Sequence, residues 1–299
     1  MSEEYINSSE RNHKMIDNTS NVYVPVRLQC GVTTNCRPQV LAHCPNVLQD
    51  LNEDLSGCLH VLPVSLHDLV KRTVIWINLS YAYGPIDSPN EVKYCTAHHA
   101  EAWLISQNDI PKKAKGIEIY DCFEYRKMRN YWNGCGLILH ELCHLIHQLV
   151  LPDGLDNAMV KMVHKSALSG DKYKTVLRRD WAGRTCDTDM AYGIINEKEF
   201  FAEISVAYLC NGYQELDLVV TGPMSICSPP FIDQTMSSER SDISGAGCSW
   251  SSLLQILNRS SALTSHCNKF FPFTRGQLEH YDLDTFLIFQ KLWFDISEW

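Results

Sequence analysis

The sixteen residues GLILHELCHLIHQLVL, Gly136 to Leu151, constrain this chain more than any other stretch. Their apolar content and spacing predict a mostly buried helix over 134–151, stopped by Pro152, Asp153 and Gly154. Any fold that buries this helix must also house three histidines and a glutamate. Side chains four apart share a helix face, so His140 and His144 can aim their imidazoles at one point, with Glu141 beside them. Left without partners in an apolar setting, these groups would be costly. The segment alone leaves two readings. One is a zinc site, with the histidines as ligands and Glu141 reaching a water; the other is a set of satisfied core or surface histidines.

A zinc site needs a third ligand. His147 shares the face but lies roughly 10 Å along the axis from His140, at about 1.5 Å per residue, too far for all three rings to converge. It reads as a supporting or substrate-side residue, or as packing. The glycine turn and later histidine of the metzincin pattern are absent from LIHQLVL. A better source is NEKEFFAE, 196–203, within a helix predicted over 196–209, where Glu199 and Glu203 share a face. One can ligate the metal while the other receives a hydrogen bond from the outer nitrogen of a liganding histidine. The local alternative makes Asn196 an N-cap and Glu199 its capping-box partner. A second histidine pair, His98 and His99 in CTAHHAEAW, reads as surface or packing ahead of a metal or substrate contact.

HELCH followed by YGIINEKEFFAE resembles the metalloprotease domain of anthrax toxin lethal factor and the related Pro-Pro endopeptidases, over about residues 113–212. The resemblance implies a zincin-like α+β fold with a small mixed sheet, an HExxH active-site helix and a downstream third-ligand helix. It also implies Zn2+ as cofactor, with His140, His144 and Glu199 as ligands and Glu141 as general base. Tyr192 would donate a hydrogen bond in the transition state, and Glu203 would be a supporting carboxylate. Two departures stand out: Cys143 replaces a common glycine, and LIHQ adds a histidine.

The activity so implied is endopeptidase cleavage of an extended peptide or protein segment, with proline among its candidate residues, laid along an edge strand that includes part of GIEIY. Two alternatives remain: a zinc hydrolase of non-peptide amides, and a catalytically silent zinc scaffold that binds a protein partner. A formal charge of -9, from 26 basic and 35 acidic residues, argues against nucleic acid as the main partner and favours neutral or basic peptides. No apolar stretch is long enough to cross a bilayer, and MSEEYINSSERNHKM lacks the features of a signal peptide. The expectation is a soluble protein without membrane contact, the cytoplasm ahead of a secreted form. The 13 cysteines form no CxxC pair, and reduced thiols are expected ahead of disulfides. Sequons at Asn7, Asn18, Asn78 and Asn258 would permit glycosylation in a secretory compartment.

The remaining chain divides into a flexible tail at 1–20, an N-terminal region at 21–112 packed on the core, a catalytic core at 113–215 and a C-terminal extension at 216–299. VYVPV, TVIWIN and GIEIY read as strands, YAYGPIDSPNE as a turn-rich connection and 221–250 as a long loop. DLDTFLIFQKLWFDISEW reads as a terminal helix. Phe270, Phe271, Phe273, Trp293 and Trp299 are expected to complete the core, with a binding surface as the alternative.

Overall fold

Short β-branched and aromatic runs build a five-stranded mixed sheet, and the helix that carries HELCH packs across it. The computed structural model describes residues 22–83, 90–92, 94–210 and 268–299, without the side chains of Glu91 and Cys186. The expected tail at 1–20, the loop at 221–250 and the sequons at Asn7, Asn18 and Asn258 lie outside the described residues.

Strands β1 (Val24–Arg27) and β2 (Thr33–Cys36) form a hairpin. Its turn requires Gly31, whose φ of 92° is open to glycine at little cost. Two helices follow, α1 (Pro38–His43) and α2 (Asn46–Val61); Val47, Leu51, Leu55 and Cys58 form the buried stripe of α2. Helix α3 (His67–Arg72) leads into β3 (Ile75–Ile77), and β4 (Tyr81–Tyr83) pairs with β5 (Asn90–Val92). Then come β6 (Cys95–Ala97), α4 (Glu101–Ser106), β7 (Ile117–Ile119) and α5 (Cys122–Met128). The strand order is β1-β2-β3-β7-β6, with β2, β3 and β7 parallel and an antiparallel strand at each edge. Strands from both sides of residue 112 therefore share one sheet.

The focal helix is α6 (Gly136–Leu149), buried from Gly136 to His147. Helix α7 (Ala158–Ser169) and the hairpin of β8 (Val176–Arg179) and β9 (Thr185–Asp189) lead to α8 (Glu197–Leu209). Every residue of α8 from Phe200 to Leu209 is buried, because α6 lies on one side and α7, α9 (Arg275–Tyr281) and α10 (Leu283–Ser297) lie on the others. Phe201 stacks on Phe289 and Trp293 of α10, and the Trp293 indole donates to Ser205 at 3.1 Å. The molecule is thus a mixed α+β arrangement with a small sheet, an HExxH-bearing helix and a separate helix carrying Glu199.

Three expectations need correction. GIEIY is no edge: β7 pairs with β3 on one side and β6 on the other, as its fully buried Ile-Glu-Ile run requires. The edge beside α6 is the three-residue strand β6. Tyr81–Tyr83, expected in a turn-rich connection, forms β4. Asn78 is fully buried: its side chain donates to Glu118 and accepts from Tyr23 and Arg37, so no glycan can reach it.

Nine described cysteines carry free thiols, eight of them buried as small core residues. Among the described residues, no helix is long and apolar enough to cross a membrane.

Candidate metal centre

Helix α6 presents His140 and His144 one turn apart, and α8 brings Glu199 against them. The two Nε2 atoms lie 3.1 Å from each other. The nearer Glu199 oxygen is 3.0 Å from His140 Nε2 and 3.3 Å from His144 Nε2. A tetrahedral zinc with donors at about 2.1 Å needs them roughly 3.4 Å apart, so the triangle fits within a few tenths of an ångström. Three donor atoms from two helices thus converge on one point, the spacing of ligands around a shared cation. The His-x-x-x-His pair on one helix and the downstream glutamate on another match a zincin-type metal site.

The protonation states suit a dication. Burial pushes His144 towards the neutral imidazole, outweighing the hydrogen bond to Glu199. Burial pushes the Glu199 carboxyl up, but the hydrogen bonds it receives from His140 and His144 outweigh it and hold the group below the usual carboxylate range. Neutral imidazole and ionised carboxylate are the forms that ligate metal. The capping alternative coexists with this role. The Asn196 side chain caps α8 by accepting from the Lys198 and Glu199 amides, which leaves the Glu199 carboxylate free to face the histidines.

Glu141 points to the sheet edge, where one oxygen accepts the Ala97 N–H at 2.8 Å. Burial and the Glu199 charge push its carboxyl well up, against the pull of that amide. A dication between His140, His144 and Glu199 would supply the opposing charge. Ala97 has no local motif in the sequence and was not anticipated; only the docking of β6 on α6 brings it here.

Tyr192 opens the short 3-10 turn Tyr192–Ile195, with its ring centroid 6.5 Å from that of His140 and 43% of its surface exposed. Burial, then the charges of Glu199 and Glu141, push its hydroxyl up to about 12, so it remains a donor at neutral pH.

Glu203 does not take the place expected for it beside a histidine. Its Oε2 accepts the Gly193 N–H at 2.5 Å, and a Cβ at Gly193 would approach the same oxygen to 2.8 Å. The carboxylate thus pins the turn that holds Tyr192. Burial first, with the charge of Glu199 adding to it, pushes Glu203 up to about 8. The Nδ1 atoms of His140 and His144 are buried without hydrogen-bond partners among the described residues. His147 is buried against Phe201, its ring tilted by 41° with 4.7 Å between centroids and neither ring nitrogen bonded, and burial lowers it to about 3. His99 is half-buried and pairs with Gln148, its ring 5.8 Å from that of His144.

A second acidic group, His98, Asp109 and Glu118, also gathers potential metal ligands. Its cation is already in place: Lys113 Nζ sits 2.5 Å from Glu118 and 2.8 Å from Asp109, with its side chain fully buried. Burial pushes Lys113 down, but Glu118, Tyr23 and Asp109 outweigh it and keep it charged. Lys113→Met should therefore destabilise the fold by about 3–5 kcal/mol, because it strands two buried carboxylates. Denaturant titration measures this, and an unchanged midpoint would remove Lys113 as the neutralising ion.

Comparison of the chain with protein-family models, with curated proteins and with solved structures found no match, so the functional reading rests on the geometry of this centre.

Proposed function

We propose that this protein is a zinc-dependent endopeptidase with a zincin-like active site, resembling lethal factor and the Pro-Pro endopeptidases in the order and type of its site residues. The observation that carries the reading is the convergence of His140, His144 and Glu199 beside a Glu141 turned onto the edge strand. Among the described residues no fourth histidine, cysteine or carboxylate joins the triad, which favours a catalytic site with an open position over a closed structural one.

In this reading His140, His144 and Glu199 hold the metal. Zinc held there would supply Lewis acidity, the chemistry that acidifies a water and polarises a carbonyl. Glu141 accepts the proton from that water and passes it to the leaving amine. The Tyr192 hydroxyl, protonated at working pH, donates to the oxygen that gains negative charge. Glu203 holds the Tyr192 turn through Gly193, and His147 backs α6 by packing.

The peptide lies along β6. Tyr94 and His98 exchange backbone hydrogen bonds with β7 and its flanks, so the alternation of an antiparallel ladder turns the backbone groups of Cys95 and Ala97 away from β7, the Ala97 N–H onto Glu141 and the Cys95 groups and Ala97 carbonyl towards the edge. An extended segment can pair with that edge next to Glu141.

Incubation with a diverse peptide library, read by mass spectrometry, tests the proposal. Cleavage should disappear on chelation and return with zinc. Zinc-dependent turnover of small non-peptide amides without any peptide cleavage would move the assignment to the other hydrolase class. Zinc binding with neither activity would leave the scaffold reading.

Ala97→Pro offers a finer test. Proline is tolerated where an edge N–H faces outward, so the variant removes the Glu141 contact and leaves the ladder to β7 intact. Turnover should fall about 10- to 100-fold, the kinetic equivalent of ~1.5–3 kcal/mol for a hydrogen bond to a charged group, with zinc content unchanged. A wild-type rate would show that the amide does not position Glu141.

A further inference from the structure

Beside the metal centre, a cavity of about 420 Å³ opens against β6, with Thr96, Ala97 and His98 in one wall and Tyr83, Trp103 and Tyr120 in the rest. Ala97 belongs to both places, since its amide holds Glu141 while its backbone borders the cavity. The rings already pack as neighbours: Tyr83 and Trp103 are 5.3 Å apart between centroids, His98 and Trp103 5.7 Å, and Tyr83 and Tyr120 6.4 Å. These are the spacings of favourable tilted and edge-on pairs, and a further ring can join them.

Charge decides the class of occupant. The acidic groups behind the cavity are Asp109 and Glu118, and both are committed. Lys113 contacts both carboxylates, His98 bonds Glu118 at 2.8 Å and the Tyr81 hydroxyl bonds Asp109 at 3.0 Å. Among the described residues no uncommitted carboxylate lines the cavity to pair with a lysine or arginine, so a neutral ring gains the aromatic contacts without the desolvation cost of an unpaired charge.

We infer that this cavity is the subsite that selects the substrate, and that it takes an aromatic side chain of a peptide paired with β6. The inference rests on the endopeptidase reading of the metal centre. Successive side chains of an extended peptide alternate between faces. One residue therefore faces the metal centre and its neighbour enters the cavity, which places the aromatic residue within about two positions of the cleaved bond. An aromatic occupant takes the neutral side of the expectation of neutral or basic peptides drawn from overall charge.

Two measurements test this. The first compares kcat/KM for peptides that differ only by Phe, Lys, Pro or Ala at each position flanking the cut. Phe should exceed Lys and Pro by at least about 10-fold at one position, and Trp103→Ala should abolish that preference. Thr96→Glu, which puts a carboxylate on the wall, should move the preference towards Lys. The second measures binding of a fluorescein-labelled Phe peptide to zinc-loaded E141Q protein by anisotropy, with and without Trp103→Ala. Loss of affinity in the double variant supports the subsite. Cleavage with no aromatic preference, or a preference unmoved in both wall variants, overturns the subsite and leaves the endopeptidase reading standing. Trp103-dependent binding of the Phe peptide, without cleavage of any peptide by the wild-type protein, overturns the endopeptidase reading instead.

Discussion

Glu141→Gln is expected to lower peptide hydrolysis by about 10²- to 10⁴-fold while leaving zinc content unchanged, the range typical of a lost general base. The substitution isolates proton acceptance. The glutamine carbonyl can still receive the Ala97 N–H that Glu141 receives at 2.8 Å, so position is retained. Glutamine also avoids the burial cost that pushes the Glu141 carboxyl up, and the variant should fold at least as well as the wild type. The measurement pairs kcat/KM on a cleaved library peptide with metal analysis of the same sample. Turnover at the wild-type rate would remove Glu141 from the chemistry, and parallel loss of zinc would make it a ligand.

Replacing a ligand gives the opposite split. His140→Ala, His144→Ala and Glu199→Ala should each weaken zinc binding by more than about 100-fold, since loss of a merely supporting partner costs 10- to 100-fold. Activity should fall with occupancy. Saturating zinc stabilises a protein that binds it only when folded, by about 4 kcal/mol at a thousandfold excess over Kd. The wild type should therefore melt at higher temperature with zinc, and the three variants should lose most of that shift. Competition against a chromophoric chelator gives the affinities. A zinc-dependent shift of wild-type size in all three variants would place the metal elsewhere.

The grouping of the candidate ligands was legible because its geometry is local. A four-residue spacing fixes the His140 and His144 faces, and Glu199 sits near the start of a helix whose cap, Asn196, can be read directly from the sequence. Helices α6 and α8 lie within two residues of the expected boundaries. What depends on tertiary contact was not legible. Strand β6 is Cys-Thr-Ala, three residues too short for their alternation to stand out in the sequence, and becomes an edge only through pairing with β7. Lys113, within the basic run PKKAK, looks solvated until the turn to β7 places it on Glu118. Glu203 could be seen to share a face with Glu199, but its partner Gly193 is reached only through the fold of the intervening turn.

The bracing of α8 by α10 has a consequence for biosynthesis. Glu199 is presented by a helix whose buried face is completed by Phe289 and Trp293. A nascent chain that has exposed His140, His144 and Glu199 owns every donor atom and still lacks the wall that holds the third one in place. At about 5–20 residues per second, the ribosome needs on the order of ten seconds more to deliver that wall. During that interval the three donor atoms stand without the wall that fixes the third, so the order of translation makes the candidate metal centre one of the last parts of the molecule to be completed.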